Sequence, residues 1–136
     1  MEFALAAPAL IIVMATIIDY SQMFLSRAQL VGSIAQGAEY AHLIGPTVTA
    51  ASVQTVVQRA LALPAANVQV EAPNCYCVAG TPAIATSQSC NTPCTNQVLP
   101  GTYTRITATY TFVSYMPLSS LLVNPILRET SLVRLK

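Results

Sequence analysis

The stretch EFALAAPALIIVMATIIDYSQMFL, Glu2 to Leu25, decides how the rest of this chain is read. From Phe3 to Ile18 it carries no charge, and its one polar side chain, Thr16, can bond its hydroxyl back to a helical carbonyl. A helix crossing a bilayer needs ~20 apolar residues over a ~30 Å hydrocarbon core. The run meets that if Asp19 and Tyr20 lie in the headgroup layer and Met23 to Leu25 extend it. A cleavable secretory signal also contains a short apolar run, but a basic region leads it. Here Glu2 leads and the helical pattern continues past Asp19, which favours a retained helix. Pro8 deletes one backbone hydrogen bond inside the run, so in lipid the freed carbonyl needs a neighbouring helix or a local adjustment.

Beyond Asp19 two apolar stripes run side by side. Phe24, Ala28, Val31, Ala35 and Ala38 form one; Leu30, Ile34, Gly37, Ala41 and Ile44 form the other. Steps of three and four put each set on one helical face, and the small residues let neighbouring backbones approach closely. From Glu2 to Ile44 such a helix is roughly 65 Å long at ~1.5 Å per residue, more than the core of a 136-residue chain can cover. Its N-terminal half must therefore be buried in something else. The expected division is a long helix over residues 1–45, with 1–25 entering a membrane or a bundle of like helices, and a globular α+β head over 46–136.

Composition agrees with a chain that does not keep a bare surface. It is 54% hydrophobic with mean hydropathy +0.56 and only 8% charged, against roughly 25% charged residues in ordinary soluble domains. The six basic residues are scattered and the net charge is +1, so no patch for a phosphate backbone is legible and nucleic acid is not an expected partner.

Gly45-Pro46 ends the long helix, because glycine is the usual residue just past a helix and proline cannot continue one. Thr47 or Thr49 can cap a second helix of about four turns. In it Val53, Val56, Val57, Ala60, Leu61 and Leu63 share a face, while Gln54, Gln58 and Arg59 are expected in water. Asn67 to Ala72 alternates as a short strand before Pro73-Asn74 stops it. Thr102 to Tyr115 is the clearest strand: Ile106, Ala108, Tyr110 and Phe112 face the helices, and a threonine-rich face with Tyr103, Arg105, Thr107, Thr109, Thr111 and Val113 looks outward. Leu118 to Leu127 is apolar and reads as a short helix or a loop covering the core, and Glu129 to Leu135 alternates as a further strand.

Between them, residues 74–98 hold all four cysteines, Cys75, Cys77, Cys90 and Cys94, in a segment rich in Thr, Ser, Asn and Pro with too little apolar content to order itself. In an exported protein four such cysteines read as two disulfides rather than a zinc site, whose paired ligands are usually spaced differently. Cys75 and Cys77 cannot easily bridge each other, because residues two apart on an extended chain lie ~7 Å apart. Two pairings remain: Cys75–Cys94 with Cys77–Cys90, the nested pattern and the preferred one, or Cys75–Cys90 with Cys77–Cys94.

Catalytic chemistry is poorly provided for. The single histidine, His42, has Glu39 three residues before it, which more often makes a surface helical pair than a dyad. No nucleophile–base set, phosphate-cradling glycine loop or paired carboxylates appear, so neither an enzyme nor a cofactor or metal site is expected.

The opening Glu2-Phe3-Ala4-Leu5-Ala6-Ala7-Pro8, the aliphatic run and Ile17-Ile18-Asp19-Tyr20 resemble the start of the TadE-like family, pilin-like proteins of the tight-adherence (type IVb, Flp) pilus machinery. The closing Thr130-Ser131-Leu132-Val133-Arg134 is similar to the short strand that ends such proteins. In pilins of this broad class the acidic residue is the fifth of the mature chain, following a cut after glycine; here it is residue 2. There its carboxylate can neutralise the amine of an incoming subunit, and next to lipid it must be neutral or paired.

The resemblance implies a pilin-like α+β subunit that waits in the cytoplasmic (inner) membrane with its head outside. A prepilin peptidase processes it, and an assembly platform extracts it into an extracellular helical filament for surface adhesion. Glu2, Phe3, Pro8, Ile11, Ile12, Phe24, Ala28, Val31 and Ala35 are the residues expected to carry assembly. Two alternatives are a minor or priming pseudopilin of the same machinery, and a membrane-anchored adhesin that uses the cysteine loop.

Overall fold

A computed structural model describes residues 3–81, 84–114 and 125–135 of the chain. Helix α1 runs unbroken from Phe3 to Ile44 with Pro8 inside it, 42 residues and ~63 Å at ~1.5 Å per residue. It stops where Gly45 turns to φ +73°, a left-handed conformation that costs glycine nothing, and Pro46 continues into a single 3-10 turn, Gly45–Thr47. Thr49, in extended geometry, then accepts a hydrogen bond from the Ser52 amide and starts α2, Ala50–Ala60. This helix is three turns rather than four: Leu61 and Leu63 still pack on the core, but from extended chain.

Five strands form one antiparallel sheet: β1 Asn67–Val70, β2 Asn74–Ala79, β3 Ile84–Ser87, β4 Gly101–Thr111 and β5 Ile126–Arg134. The long β4 is its axis. β5 pairs with it along the whole of one side, from Tyr103↔Arg134 to Thr111↔Ile126. β1 and β2 share the other side end to end, β1 against Ile106 to Thr109 and β2 against Gly101 to Tyr103. Between them four steps of chain, Val70 to Asn74, oppose three of β4, Ile106 to Tyr103, so Glu71-Ala72-Pro73 is a bulge. The bulge is well satisfied: Glu71 N–H donates to the Arg105 carbonyl at 2.9 Å, and Thr104 Oγ1 donates to the Glu71 carbonyl at 2.7 Å. Pro73 fits such a place because it has no N–H to offer a ladder.

The C-terminal half of α1 and all of α2 cover one face of this sheet. Leu30, Ile34 and Ala41 meet Val53 and Val57 of α2, Val68 of β1, Ile106 and Ala108 of β4, and Leu127, Val133 and Leu135. Gly37 is where the two helices cross most closely, since a Cβ there would collide with Val57 Cγ2. Gln54, expected in water, is half-buried and donates from Nε2 to the Val68 carbonyl at 3.0 Å, serving the outer edge of β1, where no strand pairs among the described residues. β5 begins at Ile126, three residues earlier than the alternation suggested, because Ile126 and Leu127 continue the ladder with β4. β4 ends at Thr111, short of the Tyr115 that the alternation suggested: Phe112 still packs on the core and its N–H donates to the Pro125 carbonyl, but outside the strand. The apolar stretch 118–124 lies outside the described residues.

Candidate assembly surface

Below the head, α1 stands alone. Leu10, Ile11, Ile12, Val13, Met14, Ile17 and Ile18 are all at least half exposed, on every side of the helix. The helix is long and apolar enough to cross a membrane by length and composition. Its hydroxyls do not interrupt that character. Thr16 donates to the Val13 and Ile12 carbonyls at 2.8 and 3.1 Å, and Ser21 to the Ile17 carbonyl at 2.8 Å, so each polar group is already served within the helix.

The head begins at Asp19. Asp19 is only 4% exposed, and its carboxylate accepts a hydrogen bond from Ser114 Oγ, just past β4, at 2.7 Å. The carboxylate that the sequence reading put at the headgroup layer is thus covered by the protein itself. Nothing local predicts this contact, which joins residues 95 apart; a lone carboxylate in an apolar helix was the only hint. Higher up, an exposed ion pair ties α1 to β5, Arg27 Nε to Glu129 Oε1 at 2.6 Å.

The two stripes of α1 have separate fates. Leu30, Ile34, Gly37 and Ala41 are buried, whereas Phe24 is 68% and Val31 49% exposed, with Ala28 and Ala35 also exposed beside them. Ile44 ends the inner stripe in the open and Ala38 of the outer one is half-buried, so the boundary shifts slightly at the top. At about 100° per residue, Pro8, Ile11 and Ile12 lie on the side that the head covers further along, opposite the Phe24–Ala35 stripe. The residues expected to carry assembly therefore form two patches, at different heights and on opposite sides. Glu2 and the side chain of Phe3 lie outside the described residues.

The cysteine segment is more ordered than its composition suggested. β2 and β3 make a hairpin inside it, from Tyr76↔Ser87 to Ala79↔Ile84. The disulfides are Cys75–Cys90 and Cys77–Cys94, with Cα separations of 5.2 and 5.8 Å, not the nested pairs preferred from sequence. The hairpin explains the change. β3 returns along β2 and delivers Gln88, whose N–H bonds the Cys75 carbonyl, so Cys90 arrives at Cys75 first. A turn at Ser89–Thr92 then sends the chain back toward Cys77.

On the face of the sheet turned away from the helices, Tyr76 is buried edge-on against Tyr103 and under the Arg105 guanidinium, with its hydroxyl on Glu71. Burial, and then the Glu71 carboxylate, push its pKa above the usual phenol value. His42 does not pair with Glu39; its Nδ1–H donates to the Arg134 carbonyl at 3.1 Å, pinning β5 to α1. Among the described residues no group of three or more His, Cys, Asp or Glu side chains is placed to hold a metal.

A long helix, half of it apolar on all sides and half packed on a small antiparallel sheet, defines a pilin-like α+β protein. The family model described as TadE-like protein matches residues 1–39, so the N-terminal segment of this chain is TadE-like. No curated protein and no solved structure matches the chain. The family match and the exposed apolar helix together point to a Tad-pilus-associated protein.

Proposed function

We propose that this protein is a structural pilin subunit, held in the inner membrane by α1 and polymerised through that helix into an extracellular Tad-type filament that serves surface adhesion. The observation that carries the reading is the apolar surface open on every side of α1 below Asp19. Such a surface is stable only when lipid or other helices surround it, at roughly 25 cal/mol per Å² of apolar area removed from water. Membrane and filament core are two ways of meeting the same demand, and moving from one to the other exchanges lipid for neighbouring copies.

The placement of the two patches supports self-association of the open-ended kind. Pro8, Ile11 and Ile12 face one way and Phe24, Ala28, Val31 and Ala35 the other, at different heights. A subunit with unlike surfaces on opposite sides makes head-to-tail contacts, which extend into a helix when the rotation does not close a ring. The small Ala28 and Ala35 let a neighbouring backbone come close on the outer stripe. A prepilin peptidase and a membrane assembly platform are the partners this process requires.

The test is electron microscopy of material sheared from cells, with mass spectrometry of its main band. Filaments composed mainly of this chain are expected, and Val31→Arg should abolish them while leaving the head folded. Filaments that contain only traces of the chain would replace this reading with a minor, priming pseudopilin. A chain found only in the membrane fraction, with no fibre containing it, would make it an anchored adhesin.

A further inference from the structure

The basic residues are dispersed along the sequence, but the sheet gathers three of the six. In the β4–β5 register Thr109 stands opposite Arg128, Arg105 opposite Leu132 and Tyr103 opposite Arg134, and directly opposed residues share a face. It is the face turned away from α1 and α2, since Ile106, Ala108, Leu127 and Val133 enter the core from the other. Arg128 and Arg134 are exposed and ~20 Å apart along β5 at ~3.3 Å per residue, with Arg105 between them on the next strand. The exposed Thr130, its hydroxyl 3.3 Å from that of the buried Thr107, and the exposed Gln69 of β1 occupy the space between the cations.

Arg105 is held in place by Glu71 at 3.4 Å and by the Tyr76 ring, 5.4 Å from its guanidinium carbon. Arg128 and Arg134 have no ion-pair partner among the described residues. At its Arg134 end the face opens into a groove of about 230 Å³ beside the cysteine loop, lined by Tyr76, Tyr103, Thr95, Asn96, Leu99 and Arg134.

We propose that this face binds a linear acidic polysaccharide, laid along β4 and β5 with carboxylates on Arg128 and Arg134 and a sugar ring in the groove against Tyr103. A guanidinium presents a fork that matches a carboxylate. Threonine hydroxyls and side-chain amides both donate to and accept from sugar hydroxyls, and a tyrosine ring offers an apolar flank with a polar tip. Charge spacing selects the partner. A polyuronate carries only one charge per sugar ring, so three cations spread along the face match its charge density far better than that of duplex DNA, which with one charge per ~1.7 Å would leave most phosphates without a contact. A lipid surface is bound by burying apolar side chains among the headgroups, and on this face Leu132 is already half-buried. The site does not depend on polymerisation.

The test is binding of alginate oligomers to the full chain in nanodiscs of zwitterionic lipid, with dextran, duplex DNA and phosphatidylserine vesicles compared. Alginate should bind and dextran should not. Arg128→Gln with Arg134→Gln should weaken alginate binding about tenfold, as expected for losing two charged contacts, and Arg59→Gln on the exposed side of α2 should leave it unchanged. The assignment is overturned if alginate does not bind, if the double variant binds as well as the parent with its disulfides intact, or if DNA or the anionic vesicles bind as tightly as alginate.

Discussion

The two halves of α1 share one unbroken backbone, yet the lower is apolar all round and the upper alternates apolar stripes with polar residues, and they solve burial in opposite ways. Above Asp19 the inner stripe sinks into a core built by α2 and the sheet, and Leu30 is wholly inaccessible. Below it no stripe is privileged, and Ile11 and Ile17 are about as exposed as Leu10. A helix with one apolar stripe belongs to its own domain, while one apolar all round is made for an environment supplied from outside. The difference teaches that the head has a core of its own, to which the upper part of α1 contributes, and that the stem's burial depends on whatever surrounds it.

The strongest way to break this contrast is to truncate one residue in each half. Leu30→Ala should lower the unfolding free energy of the head by about 3 kcal/mol, in the range for emptying a fully buried leucine site. Ile12→Ala should leave it unchanged in detergent; an equal loss would mean that the stem is part of the head's core. Next in size is the cysteine hairpin. Replacing Cys75 and Cys90 together by serine releases a loop whose ends are 15 residues apart, which should cost about 3 kcal/mol in chemical denaturation. The helical signal of the stem should persist through that transition.

The boundary itself gives a smaller effect. Ser114→Ala removes a donor from the buried Asp19 carboxylate and should destabilise the head by about 1–3 kcal/mol; a neutral result would show that the head does not grip the stem there. The smallest effect is in alkali. The folded protein holds the Tyr76 phenol neutral to a higher pH than the unfolded chain does. Its contribution is therefore complete below the unfolded pKa of about 10 and is lost as pH rises from there through the folded value. Tyr76→Phe should flatten part of the fall in melting temperature above pH 10, and an unchanged profile would remove Tyr76 from the account.

Much of this was legible in the residues because much of it is local. The long helix and its end at Gly45-Pro46, the cap at Thr49, and the alternation through Ile106, Ala108 and Tyr110 follow from backbone preference and side-chain period. The apolar run marked the exposed stem for the same reason. Gln54 was misread because the carbonyl it serves belongs to a strand 14 residues away. The disulfide pairing was misread because composition concealed the β2–β3 hairpin that decides which cysteine arrives first.

The sequence by itself therefore determined that this chain has an apolar stem longer than its own core can cover, a helix after it, and strands that alternate. Periodicity and turn residues act over a few positions and need no partner to be read. Only the tertiary structure decided which stripe of α1 is spent inside the head, that Asp19 is closed over by Ser114, and that Arg105, Arg128 and Arg134 share one face. Each of these depends on strand register or helix rotation set by contacts between residues far apart in the chain, where packing rather than local preference chooses among faces that look equally apolar in sequence.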